Sequence, residues 1–135
     1  MYLDIEHRKR LKARALELLS QHQGPDDPIS MTALNAAITG ETVIPWRRYD
    51  QSRITRSLIT ELRQEGHAIA HKPGAGGGYY MARNEDELKD TAAWFRKRAM
   101  SSLRQEAALR RISLGALIEQ YQLELKEEHS THAQD

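Results

Sequence analysis

In the stretch "QSRITRSLIT", Ser52, Arg53, Arg56, Ser57 and Thr60 repeat at helical spacing, and no acidic residue falls between Gln51 and Thr60. On a helix these five share one side, because Ile54, Leu58, Ile59 and Leu62 form the opposite, buried stripe. A guanidinium can bridge two acceptors on one base edge or hold a phosphate, and a hydroxyl can reach either. The same strip also fits the solvated side of a packing helix, although such a face more often mixes in glutamates.

A second candidate is "KPGAGGGYYMA", with glycines at Gly74, Gly76, Gly77 and Gly78. A phosphate cradle needs a lysine and a hydroxyl directly after its glycines, and here Tyr79 and Tyr80 follow. A flexible linker would lack the apolar alternation on both flanks. The stretch therefore reads as the tight turn of a β-hairpin between "HAIAHK" and "YYMA". Lys72 and His71 lie beside that turn, placed either to contact a phosphate backbone or simply to face solvent. The six histidines are scattered. His129 and His132 have helical metal spacing but lack a third ligand, and no Ser/His/Asp arrangement can be assigned. No catalytic residue, metal, cofactor or small-molecule ligand is expected, and the chain does not read as an enzyme.

These residues need a scaffold. Leu11, Ala15, Leu18 and Leu19 predict an amphipathic helix over 6–22, stopped by "GPDDP". Ser30 caps a short second helix that ends at Gly40. "ETVIPWRRYD" is irregular because Pro45 bars a helix interior; Arg47 and Arg48 beside Trp46 are candidate phosphate contacts. Asp50 or Gln51 opens the third helix, and Gly66 ends it. After the hairpin, Asn84 caps a long helix, and a last helix starts near Ser113. The tail from His129 is expected to be disordered. This is a mainly α protein with a small β-hairpin.

"ISMTALNAAI…SRITRSLITELRQEGHAIAHKPGAGGGYYMA" resembles the N-terminal winged helix-turn-helix domain of biotin-repressor-type regulators. It is also similar to small winged-helix proteins of phages and prophages, in which a Gly-Gly-Tyr-Tyr wing precedes a long charged helix. The likeness covers Leu11 to Ala82. It departs from the family at Thr39 to Tyr49, a longer link than the usual few residues between the second and third helices. The resemblance implies double-stranded DNA as partner and transcription regulation as role. The third helix would lie in the major groove, with Gln51, Ser52, Arg53, Arg56, Ser57 and Thr60 on its reading side. A replication or recombination accessory, or a protein-interaction function without DNA, fits the same residues.

The expected layout is residues 1–83 as the DNA-binding unit, 84–128 as a helical extension and 129–135 as the tail. Leu88, Trp94, Phe95 and Leu103, with Leu114, Leu117, Ile118 and Tyr121, form two stripes. They either fold back on each other or pair between two copies, and a homodimer is favoured because Trp94 and Phe95 are adjacent and cannot both face one partner helix. Charge is split along the chain. Residues 116–135 hold Lys126 against Glu119, Glu124, Glu127, Glu128 and Asp135, a net −4, which leaves +5 on residues 1–115 of a chain with formal charge +1. A basic body with an acidic tail suits a polyanion partner. With no cysteine, disulfides and cysteine-ligated zinc are excluded, which fits a cytoplasmic setting. No apolar run approaches the roughly 20 residues that span a bilayer, and no signal peptide is expected, since the N-terminal charges lie inside the amphipathic pattern.

Overall fold

The computed structural model describes residues 4–40 and 52–133. Asp4 starts the chain's first helix, α1 (Ile5–Ser20), by accepting a hydrogen bond from the His7 amide at 2.7 Å, which satisfies a backbone donor that the helix itself cannot. Ser30 does the same for α2 (Met31–Thr39) through the Ala33 amide at 3.1 Å. α3 runs Arg53–Gln64, and β1 (Ile69–Lys72) and β2 (Gly78–Met81) form an antiparallel hairpin in which Ala70 faces Tyr80 and Lys72 faces Gly78. α4 (Glu85–Arg110) and α5 (Leu114–Ala133) complete the order. Among the described residues the fold is mainly helical with one small hairpin, as the pattern predicts. No helix among the described residues is long and apolar enough to cross a membrane.

The chain divides into two compact units, residues 1–91 and 92–135. In the first, Leu11, Ala15 and Leu19 of α1 meet Leu34 and Ile38 of α2, Leu58, Ile59 and Leu62 of α3, and Ile69 of β1. Each fully buried leucine there contributes about 1.5–3 kcal/mol. The His22–Ile29 link is more than a connector. Ile29 exchanges two 2.8 Å backbone hydrogen bonds with Tyr79, while Gly24 and His22 bond Met81. β2 is thereby paired on both edges, which protects the short hairpin from fraying.

The first unit ends at Thr91 rather than at Arg83, where the composition suggests a boundary. The reason is that the opening turns of α4 cover the outer face of the hairpin. Tyr80 is buried and donates its hydroxyl to the Glu87 carbonyl at 3.1 Å, and the buried Thr91 accepts from the His71 amide at 3.1 Å. Asn84 caps that end of α4 through the Glu87 amide. The Glu87 carboxylate accepts from the Arg83 guanidinium, which favours its charged form and holds its pKa below the ordinary value.

In the second unit, α4 closes with Arg111 in the left-handed region at φ 57°, and the Ile112 amide bonds back to the Ala107 carbonyl. Such a residue lets the chain turn back on the last carbonyls of the helix. Ser113 caps α5 through the Ala116 amide. The helices join around buried Ala107 and Leu117, and Tyr121 donates to Glu106 at 2.6 Å. α5 continues past His129 to Ala133, beyond the expected start of a disordered tail. The sequence there, "HSTHA", carries no glycine or proline to stop it.

Candidate nucleic-acid interface

α3 sorts its residues by face. Thr55, Leu58, Ile59 and Leu62 are buried, while Arg53, Arg56, Ser57 and Thr60 are exposed along one continuous strip. Ser52 departs from the expected outward position. It is only 2% exposed, at the cap of α3, where its carbonyl accepts from the Arg56 amide. The Thr60 hydroxyl donates to the Arg56 carbonyl at 3.1 Å, so toward solvent it offers lone pairs rather than a proton. Arg47, Arg48 and Gln51 lie outside the described residues.

α3 is held in place by two polar links, one buried and one half-buried. Thr55 Oγ1 donates to Asn35 Oδ1 at 2.7 Å, both side chains fully buried, which fixes α3 against α2. Arg63 Nε donates to the Ile69 carbonyl at 2.7 Å, and its guanidinium lies 5.7 Å from the centre of the Tyr79 ring. A cation at that range is drawn to the ring's negative face, which ties α3 to the hairpin. Burial lowers the Arg63 pKa from its ordinary value.

The flank of the strip belongs to α1. Arg8 Nε donates to Glu61 at 2.7 Å and its Nη2 to Ser57 Oγ at 2.5 Å; Lys12 pairs with Glu65. Such ion pairs at the protein surface, here with Arg8, Lys12 and Glu61 half-buried, add little to stability. Their effect is on potential, since the carboxylates of Glu61 in α3 and of Glu65 at its C-cap each face a cation. Sequence reasoning missed this partnership. The signal was present in two like-charge pairs of opposite sign and equal i,i+4 spacing, Arg8/Lys12 and Glu61/Glu65.

The hairpin presents its tip differently from its root. Lys72 is exposed beside the turn. His71 is half-buried, and burial together with the Arg63 charge lowers its pKa, so at neutral pH it is a poor phosphate cation. The turn needs its glycines for two reasons. Gly76 has φ 76°, and a Cβ on Gly77 would sit 2.0 Å from the Lys72 carbonyl oxygen. Only a residue without a Cβ meets both demands.

The residues expected to assemble chains divide as well. Trp94 and Phe95 are exposed, Leu88, Leu103, Leu114 and Ile118 half-buried, and Leu117 and Tyr121 are engaged within the chain. Among the described residues no group of three histidine or carboxylate side chains could hold a metal ion. Comparison with protein-family models, curated proteins and solved structures finds no match to this chain.

Proposed function

We propose that this chain binds double-stranded DNA through a winged helix-turn-helix formed by Leu11 to Ala82, and that it regulates transcription in the cytoplasm as a homodimer joined through α4 and α5. The observation that carries the reading is the acid-free exposed strip of Arg53, Arg56, Ser57 and Thr60, with Glu61 and Glu65 on its flank each facing a cation of α1. In this reading α3 enters the major groove, Arg53 and Arg56 face base edges, and Lys72 at the hairpin tip contacts phosphate.

The experiment is selection of a site from a random duplex pool, followed by titration of variants on that site and on random DNA. Arg53→Ala or Arg56→Ala costs about 1–3 kcal/mol on the selected site and much less elsewhere. Lys72→Ala weakens both equally and lowers the salt slope by about one. If the Arg53/Arg56 double variant binds like the parent, α3 is not the reading helix. If the parent selects no site at all, a role with a protein partner takes its place.

A further inference from the structure

From Ala92 to Gln105, α4 faces water on nearly every side. Ala92, Ala93, Trp94, Phe95 and Ala99 are exposed, and Met100 and Leu103 are half-buried. Trp94 is held as a platform, edge-on to Phe95 with ring centres 5.0 Å apart and with the Arg98 guanidinium 4.5 Å from its ring centre. Both contacts match the charge distribution of an aromatic ring, with its positive edge and negative face. The charge of this stretch has one sign: Arg96, Lys97, Arg98 and Arg104, with no acidic residue.

α5 is its complement. It carries Glu119, Glu124, Glu127 and Glu128 against Lys126, and it leaves Leu123 58% and Leu125 64% exposed. Within one chain the two helices are joined by Ala107, Leu117 and the Tyr121–Glu106 hydrogen bond. At Leu123 and Leu125 on α5, and from Ala92 to Ala99 on α4, the apolar side chains stay wet. α5 is also long enough to span it: at a rise of about 1.5 Å per residue, the basic stretch runs about 21 Å and α5 about 30 Å.

We infer that in a dimer the acidic α5 of one copy lies along the basic Ala92–Gln105 stretch of its partner's α4, and that the exchange is reciprocal about a two-fold axis. This deepens the assembly half of the proposed function and rests on it, but it is independent of how α3 reads DNA. The apolar side chains supply the affinity, and the opposite charges select the partner and set its orientation. A nucleic-acid backbone would answer the four cations of this stretch of α4. It would leave Trp94, Phe95, Leu123 and Leu125 in water, whereas a second copy covers all of them and brings its own carboxylates.

The test is sedimentation equilibrium of the full chain at micromolar concentration across a salt series, with two charge-reversed variants. One carries Lys97→Glu and Arg104→Glu, the other Glu119→Lys and Glu124→Lys. Circular dichroism checks that both keep their helices. The parent is expected to dimerise and to weaken with salt, and each variant alone to lose about tenfold or more in self-association. Mixed together, the variants form a heterodimer, because each then offers the other two opposite-charge contacts in place of two like-charge ones. A parent that stays monomeric at low salt overturns the inference. So do variants that dimerise like the parent, or a mixture that stays monomeric. If the Lys97/Arg104 variant keeps its mass but loses DNA affinity, these cations are phosphate contacts and the inference also falls. A loss of DNA binding in the Arg53 or Arg56 variants bears on the recognition strip alone.

Discussion

In the unit ending at Thr91, Leu19, Leu34, Leu58, Ile59 and Leu62 are sealed from water; in the unit beginning at Ala92, the described residues seal Ala107 and Leu117 and leave Leu109, Leu123 and Leu125 out. Both units are rich in helix, so the contrast lies in what orders the helices. α2 and α3 have 9 and 12 residues, and isolated helices shorter than about 12–15 residues are marginal in water, so their order comes from the core they share with α1. α4 and α5 run 26 and 20 residues. They are long enough to hold helix by themselves, with caps at Asn84 and Ser113 and a small joint between them. The first unit is a sealed core with an acid-free exposed strip on α3; the second is a pair of helices that leaves large apolar side chains exposed.

Core truncation breaks this contrast most directly. Leu58→Ala or Leu62→Ala should cost about 2–5 kcal/mol in urea unfolding, since either side chain leaves a cavity among helices that cannot collapse onto it. Leu125→Ala, measured on dilute protein, should stay within about 0.5 kcal/mol of the parent. Comparable losses at both sites would mean that α5 is buried in the monomer after all.

The next effect sharpens the account of the first unit. Asn35→Ala removes the acceptor of the Thr55 hydroxyl deep between α2 and α3, and an unsatisfied buried group costs about 1–3 kcal/mol. Replacing Thr55 by Val together with Asn35→Leu removes both partners and should recover part of that loss. If the single variant is neutral, water or a rearranged neighbour satisfies Thr55, and the link does not set the position of α3.

Much of this architecture was legible, and the reasons differ by element. Ser30 with Gly40, and Asn84 with the acids behind it, mark helix ends through local hydrogen-bonding chemistry, which sequence displays openly. The stripe of Leu58, Ile59 and Leu62 carries its own period. The hairpin was readable because Tyr79 and Tyr80, rather than a lysine and a hydroxyl, follow the glycines. What was hidden depends on contacts between distant residues. Pairing of Ile29 with Tyr79 spans the whole helical core, so the link before α2 looks like loop chemistry alone. Ser52 is buried because α3 starts two residues later than its polar run suggests. Thr91 belongs to the first unit because it bonds the His71 backbone, and a threonine in mid-helix gives no sign of that. In the candidate site, Arg53 and Arg56 follow from helical spacing, whereas the placement of Arg8 and Lys12 against Glu61 and Glu65 emerges only when α1 meets α3.

Acid should act on the first unit through His71. Its folded pKa lies below the ordinary 6.5 because burial and the Arg63 charge both disfavour the imidazolium. The unfolded chain therefore binds the proton more readily, and stability falls as pH drops through 6.5 toward the folded value. Urea midpoints measured between about pH 7.5 and about pH 5.5 should decline less steeply for His71→Gln than for the parent. Equal slopes would show that the imidazole is as well hydrated in the fold as outside it, and would return His71 to the candidate phosphate contacts.

The smallest effect expected has the opposite sign and belongs to the second unit. Arg111 ends α4 at φ 57°, where a side chain other than glycine crowds its own backbone, yet it is the position that lets the Ile112 amide reach the Ala107 carbonyl at 3.0 Å. The guanidinium end of Arg111 is exposed, so deleting it removes little packing. Arg111→Gly relieves a left-handed penalty of about 1–2 kcal/mol and gives back about 0.5–1 kcal/mol in unfolded-chain freedom, a net stabilisation of up to about 1 kcal/mol. Arg111→Val should move the other way, because a β-branched side chain fits this region worst. Amide hydrogen exchange at Ile112 and Leu117 reads the joint without requiring the first unit to unfold. Slower exchange in Arg111→Gly and faster exchange in Arg111→Val would show that the corner between α4 and α5 is a built feature of the monomer. The reverse order would mean that Arg111 itself holds the corner, and that the turn forms only because its guanidinium is anchored elsewhere.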